Sequence, residues 1–429
     1  MTDTINKTNW SFTEKIAFRF FFVYFILFIF SINNEAFPIY YHYIEPILHD
    51  GFKSFVPWFG KSVLQLKYVY PIHGFDTLYM YVLLLILLII SIAGTIVWSL
   101  IDYKRINYEK AYYWFTLLLR FYVGITLIKY GVSKIPNMQF STPFYLTKLM
   151  QNFGEYYPME LAWTFLGYSD GYNFFIGFTE LLGGFFLLFR RTLVFGILVS
   201  LVVVSNVVAM NYFYHIPLKI ISSHLLIMLI VLLAFNLKDL YKFFFMKTPL
   251  VLRRIIQPNF SKKIIKVAFI IKFLLIGYAI YDYYLFTTKD DVWTNSEKYV
   301  SVLKGLYEVE EFTIKSNDSS SVFKGDKWKY LMIDMNSRAT IKNDNFKDIR
   351  YNLNVDTLKN RIDLKAQRDT LKFYSLTYKK GDSLDFFMKG TYLNDSIFIK
   401  MKRYKDYRKK FNLTKREFNW VNKLPVNRY

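Results

Sequence analysis

Apolar and polar positions alternate along this chain in two distinct ways. Up to about residue 286 they form long apolar runs. Seven of these, 15–33, 77–101, 111–131, 172–189, 192–212, 218–236 and 264–286, approach the roughly 20 residues a helix needs to span a bilayer. Beyond them the runs shorten and the period drops to two. Asp326–Asp334, Leu371–Tyr378, Leu384–Gly390 and Ser396–Lys402 alternate in this way, with turns at Lys380-Gly381-Asp382 and Leu393-Asn394-Asp395. That is strand chemistry with one buried face, and its even spacing predicts an antiparallel meander or small barrel. The predicted fold is therefore a polytopic α-helical membrane bundle of about seven spans plus a C-terminal extramembrane, mainly-β domain. Four regions follow: 1–110 with two spans and an outer loop, 111–240 as a four-helix core, 241–287 as a basic inside loop and seventh span, and 288–429 as the β domain.

Basic residues in the connecting loops set an orientation. Lys104, Arg105 and Lys110, the Arg190-Arg191 turn, and seven Lys/Arg between 237 and 263 all fall on one side. The opposite loops, 132–171 and 213–217, are poorer in them. This predicts a bacterial inner (cytoplasmic) membrane protein with a cytoplasmic N-terminus and a periplasmic C-terminal domain. The apolar run after Lys15 has the length of a span and no small-x-small cleavage pattern after it, so it reads as a span rather than a signal peptide.

Composition narrows the chemistry. The net charge is +22, and from Thr288 onward Lys+Arg exceeds Asp+Glu by 11. With no aromatic-basic RNA motif and seven preceding spans, this excess suits a solvated face toward anionic lipid, and no nucleic-acid partner is expected. The chain has no cysteine. Disulfides, iron–sulfur clusters, thiol nucleophiles, thiolate zinc sites and covalent haem attachment are thereby excluded.

Ionisable residues inside apolar spans are costly and mark candidate sites. Arg120, Gly124, Leu127, Gly131 and Lys134 share one helical stripe, and Asn173, Gly177, Glu180 and Gly184 share another. Small residues in both stripes predict close approach of the two helices, with Glu180 paired to Arg120 or Lys134. Asn206, Asn211, Lys219 and His224 give the next helical hairpin a polar outer end. Arg120, Lys134, Glu180, Asn206, Asn211, Lys219 and His224 are thus the candidate ligand or proton-exchange residues, around an outward-opening pocket. Residues 137–171 read as a cap of short interfacial helices with aromatic anchors. In the first outer loop His42, Glu45 and His49 fall at i, i+3, i+7, a metal-like spacing. Pro46 interrupts it and no third strong ligand is evident, so no metal is expected. His215 and His224, nine residues apart across a turn, are poorly spaced for haem ligation.

Several of these stretches resemble the DoxX-like membrane proteins: the Gly131-x-x-Lys134 helix ending, QFSTPF (139–144) with WTFLG (163–167), GFTELLGGFFLLFRRT (177–192), and SNVVAMNYFYHIPLKIISSHLL (205–226). The extra N-terminal span and β domain resemble the long form common in Bacteroidota. The closing REFNWVNKLPVNRY (416–429) is similar to that subgroup's terminal motif, from which Lys423 and Val426 depart. His73-Gly74-Phe75-Asp76 stands where a Gly-Ser-Gly-Asp-type turn is expected. The resemblance implies a four-helix core and association with membrane redox chemistry, since relatives include a subunit paired with a thiosulfate:quinone oxidoreductase.

Three functions fit these features. The first is an accessory, quinone-interacting subunit of a membrane oxidoreductase system, with no intrinsic cofactor and electrons supplied by a partner. The second is a non-catalytic envelope assembly protein whose bundle anchors the 288–429 domain for docking to a membrane or periplasmic protein. There an intramembrane ion pair only fixes helix register. A small-molecule transporter ranks third, because no inverted repeat or broken helix is visible.

Overall fold

The computed structural model describes residues 9–70, 76–136, 138–140, 146–249, 258, 260–289, 303–315, 327–333, 338–368, 373–382, 384–392, 395–406 and 410–414. The chain forms two compact units, Met1–Gln139 with Gly171–Leu285, and Phe140–Asp170 with Phe286–Tyr429.

The first unit is helical. It contains α1 (Phe12–Ser31), α2 (Pro38–Tyr43), α3 (Glu45–Ser62), α4 (Leu78–Ile101) and α5 (Glu109–Lys134). The second unit supplies α6 (Leu146–Leu149) and α7 (Pro158–Tyr168), after which the bundle resumes with α8 (Asp170–Leu188), α9 (Leu193–Phe213), α10 (Lys219–Met246) and α11 (Lys262–Lys289). Among the described residues six helices, α4, α5 and α8 to α11, are long and apolar enough to cross a membrane. Their free faces suit lipid: Ile89, Ile90, Ile92, Ile96 and Val97 of α4 are exposed.

The sequence predicted a seventh span at 15–33. The helix is there, but Glu14, Lys15 and Arg19 crowd its first turns, and that charge sets it apart from the six. Glu14 completes a capping box with Ser11, which starts α1. Arg19 is buried among aromatic rings and donates to Ser99 Oγ at 2.8 Å, to the Tyr108 hydroxyl and to the Asp102 carbonyl at 2.9 Å. Asp102 is the C-cap of α4, so the guanidinium satisfies a helix end that would otherwise leave its carbonyls unpaired.

The second unit is built on a closed antiparallel barrel in simple meander order: β1 (Gly305–Lys315), β2 (Trp328–Ile333), β3 (Arg338–Asn343), β4 (Asp348–Asp356), β5 (Arg361–Ala366), β6 (Phe373–Lys380), β7 (Asp385–Tyr392) and β8 (Asp395–Arg403), with β8 pairing back onto β1. Closure removes every strand edge. Alternate residues point inward, and Tyr307, Trp328, Leu331, Ile341, Tyr351, Leu364, Tyr374, Ile399 and Met401 pack the interior. The sequence foresaw the meander but only four of its strands, because β1, β3, β4 and β5 mix charged residues into their outward positions. On β3, however, outward Thr340 and Lys342 are also buried. The α6 side chain Leu146 packs against Leu306 of β1 and Met332 of β2, which also point outward. The segment between α5 and α8 therefore covers part of the barrel's outer wall.

Candidate functional site

Helices α5 and α8 meet through their glycines, as the two stripes predicted. A Cβ on Gly131 would lie 2.5 Å from the Gly177 carbonyl oxygen, and one on Gly184 would lie 2.5 Å from that of Gly124. Only hydrogen fits at these positions, so the backbones touch. The crossing brings Lys134 Nζ to 2.6 Å from Glu180 Oε2, with both side chains buried. Glu180 thus pairs with Lys134.

Arg120 does not join them. It sits about 21 Å from Lys134 along the same helix, and its Nε donates to the Leu187 carbonyl at 2.8 Å. Lys272 of α11 donates to the neighbouring Leu188 carbonyl at 2.9 Å. Two cations therefore cap the C-terminus of α8, as Arg19 caps that of α4. The expected pocket around Arg120, Lys134 and Glu180 is replaced by two separate structural devices.

The remaining predicted residues also divide. Asn206 is exposed on α9 and leaves the site. Asn211 donates to Ser222 Oγ at 2.9 Å and to the Leu218 carbonyl, tying the α9–α10 hairpin together. His224 is stacked on Phe28, with Nδ1 2.6 Å from the Ile220 carbonyl and Nε2 2.8 Å from the Tyr24 hydroxyl. A neutral ring protonated at Nδ1 satisfies both contacts, so His224 is a core histidine. Lys219 starts α10, where Asp76 accepts from the backbone N–H of Lys219 at 2.8 Å and of Ile220 at 3.0 Å. Its Nζ lies 3.5 Å from the same carboxylate. Asp76 is thus a cap supplied from a distant loop. The preceding His73, Gly74 and Phe75, and the terminal 416–429 motif, lie outside the described residues.

A cavity of this unit lies beside the start of α10. It measures about 580 Å³ and is lined on its polar side by Glu35, His42, Glu45, His49 and Asp76. Ile32, Met80, Ile220 and Ile221 form an apolar side. Its position follows from the turn after α1. Asn34 and Glu35 both have positive φ, 51° and 57°, so the chain reverses sharply. Lys129 of α5 holds the turn by donating to the Glu35 carbonyl at 2.7 Å and to its carboxylate at 3.0 Å. Tyr122 donates to the Ile32 carbonyl at 2.9 Å.

Glu45 opens α3 and is 7% exposed. Its Oε1 accepts from the Asn33 N–H at 3.2 Å, while Oε2 is buried with no hydrogen-bond partner among the described residues. Burial pushes its carboxyl up to about 7; the Asn33 N–H works against this and nearby Glu35 adds to it. Such a group exchanges its proton near neutrality. Burial also holds the His49 imidazole below its ordinary range, against the pull of Asp50. His42 faces Asp282 of α11 at 3.0 Å.

His42, Glu45 and His49 thus line one cavity, though not as one helical face. The chain breaks at Ile44 between α2 and α3. Among the described residues no three His, Asp or Glu side chains are grouped to hold a metal ion. The sequence singled out Glu45 only for a metal-like spacing and Asp76 only as the end of the 73–76 turn, and it gave Glu35 no role. The available signal was Asn33-Asn34-Glu35 directly after an apolar span, with Lys129 at matching depth on another.

The fold defines a polytopic helical bundle, with six helices long and apolar enough to cross a membrane, joined to a β-barrel unit. No family profile matches the chain, and no solved structure matches it. Over 116 residues it is 33% identical to the uncharacterized protein YwoB of Bacillus subtilis (strain 168), covering 27% of this chain and 71% of YwoB. The chain belongs to the YwoB family. That relative lends a family and no activity.

Proposed function

We propose that this chain is an inner-membrane accessory subunit that binds a quinone or quinol headgroup in the cavity beside Glu45, with electrons supplied by a partner oxidoreductase. The observation that carries the reading is the buried, unpartnered Glu45 Oε2 on a cavity of about 580 Å³ with an apolar side. A hydroquinone hydroxyl needs an acceptor that takes up its proton near neutral pH, and Glu45 is such a group. The ring and tail need apolar walls, which Ile32, Met80, Ile220 and Ile221 offer. The resemblance of 111–240 to DoxX-like proteins supports the reading. In the proposed orientation the cavity opens toward the periplasm.

The experiment is extraction of the protein, purified in mild detergent, with organic solvent and quantification of bound quinone. Wild type is expected to carry quinone and Glu45→Gln to lose most of it while eluting unchanged on size exclusion. Quinone-free wild-type protein, or a Glu45→Gln variant with undiminished content, overturns the assignment.

A further inference from the structure

The second unit holds a cleft of its own, about 700 Å³, between the α6–α7 segment and strands β3 to β5. One wall carries Lys148, Gln151 and Glu160, the other Thr340, Arg350 and Arg368. Its charges are unevenly matched. Glu160 is paired with Lys148. Asp348 lies 3.4 Å from Lys342 Nζ, an outward lysine of β3 that is only 2% exposed. Glu155 accepts from Asn152 at 2.9 Å. Lys347, Arg350 and Arg368 are left: they line the cleft, and none makes a salt bridge with any described residue.

The strand register explains why they converge. Arg350 stands opposite Thr340 across β3 and β4, and Lys342 opposite Asp348, so the cations flank a neutralised acid on one outward face. Gln367 is tied to β4 through the Arg350 carbonyl at 2.9 Å, which places Arg368 next to it. Five cations, Lys342 included, stand against three acids, an excess of two positive charges. Two guanidinium forks and an ammonium suit a phosphate dianion. The Thr147, Gln151, Thr340 and Gln367 side chains are hydroxyl and amide groups that suit the hydroxyls of what the phosphate is attached to.

We propose that this cleft binds a phosphorylated, hydroxyl-bearing small group, its phosphate held by Arg350, Arg368 and Lys347 and its hydroxyls by the Thr340 side. The shared chemistry is a polyol phosphate, free in solution or presented as a glycerophospholipid headgroup.

The test uses the full chain in detergent, titrated calorimetrically with glycerol 3-phosphate, with inorganic phosphate and with glycerol. Saturable binding of glycerol 3-phosphate that weakens with added salt is expected, and none of glycerol. Arg350→Ala with Arg368→Ala should weaken it about a hundredfold, and the Lys pair at the same positions about tenfold, because charge remains but the fork is lost. Thr340→Val should weaken glycerol 3-phosphate and spare inorganic phosphate. Both arginines are exposed, so the variants should keep wild-type melting temperatures. No saturable phosphate binding by wild type, or equal affinity in the double alanine variant, overturns the proposal. Repetition in nanodiscs separates the sources, both consistent with the site: phosphatidylglycerol competing with glycerol 3-phosphate identifies a lipid headgroup, and indifference identifies a soluble ligand.

Discussion

Glu180 and Glu45 are both carboxylates withdrawn from water, and the bundle treats them in opposite ways. Glu180 lies where two glycine stripes press α8 against α5, and Lys134 meets it at 2.6 Å. Every part of that arrangement resists change. Glu45 sits at a helix start beside a cavity, with one oxygen on a backbone N–H and the other unsatisfied. A paired buried charge serves register, while an unpaired one beside open volume is available for a ligand or proton. The contrast reverses the weight that the sequence gave them, since Glu180 in mid-span looked the more functional of the two.

The largest test of this contrast is Glu180→Gln, which strands the Lys134 ammonium in the interior and should cost about 3–5 kcal/mol. Thermal unfolding in detergent should show a lowered midpoint, with recovery in the double variant Lys134→Met, Glu180→Leu. An unchanged midpoint would mean that the pair does not hold the crossing. Gly131→Leu should follow at about 1–3 kcal/mol, because its Cβ would stand 2.5 Å from the Gly177 carbonyl oxygen and force the helices apart.

Glu45→Gln should be milder and visible mainly through pH. The carboxyl is raised from its ordinary 4.5 to about 7, so the folded state keeps the proton that the unfolded state releases. Wild-type stability should therefore decline as pH rises through that window, and the glutamine variant should lose the slope. Parallel melting curves across pH 5 to roughly pH 8 would refute the perturbed carboxyl. Asn206→Leu marks the bottom of the scale. Its side chain is exposed on an apolar helix, and the midpoint should move by no more than about 0.5 kcal/mol equivalent.

Much of the fold was legible in the sequence for reasons these residues make plain. The glycine stripes advertised a close crossing because spacing and residue size are local properties. The β region was recognisable by period, although β1, with Glu308, Glu310 and Glu311 in one run and a register shift between Val309 and Glu311, was too polar and irregular to register as a strand. The site was harder to read. Whether Arg120 meets Glu180 depends on helix depth, and a guanidinium near a helix end finds free carbonyls closer than a carboxylate several turns away. The Glu45 cavity is assembled by the turn at Asn34-Glu35, by Lys129 and by a cap from Asp76, none of them near one another in the chain.

The packing of Leu146 against Leu306 and Met332 also has a consequence in time. Residues 140–170 leave the ribosome well before the strands they cover, and at about 5–20 residues per second that interval is on the order of ten seconds. Throughout it the segment between α5 and α8 waits with an apolar face and no wall to cover. Closure of the barrel, by pairing its last strand with its first, is then the step that completes the segment's folding. A chaperone or the lipid surface has that interval in which to hold it, and a ribosome stalled before β1 leaves it without its partner.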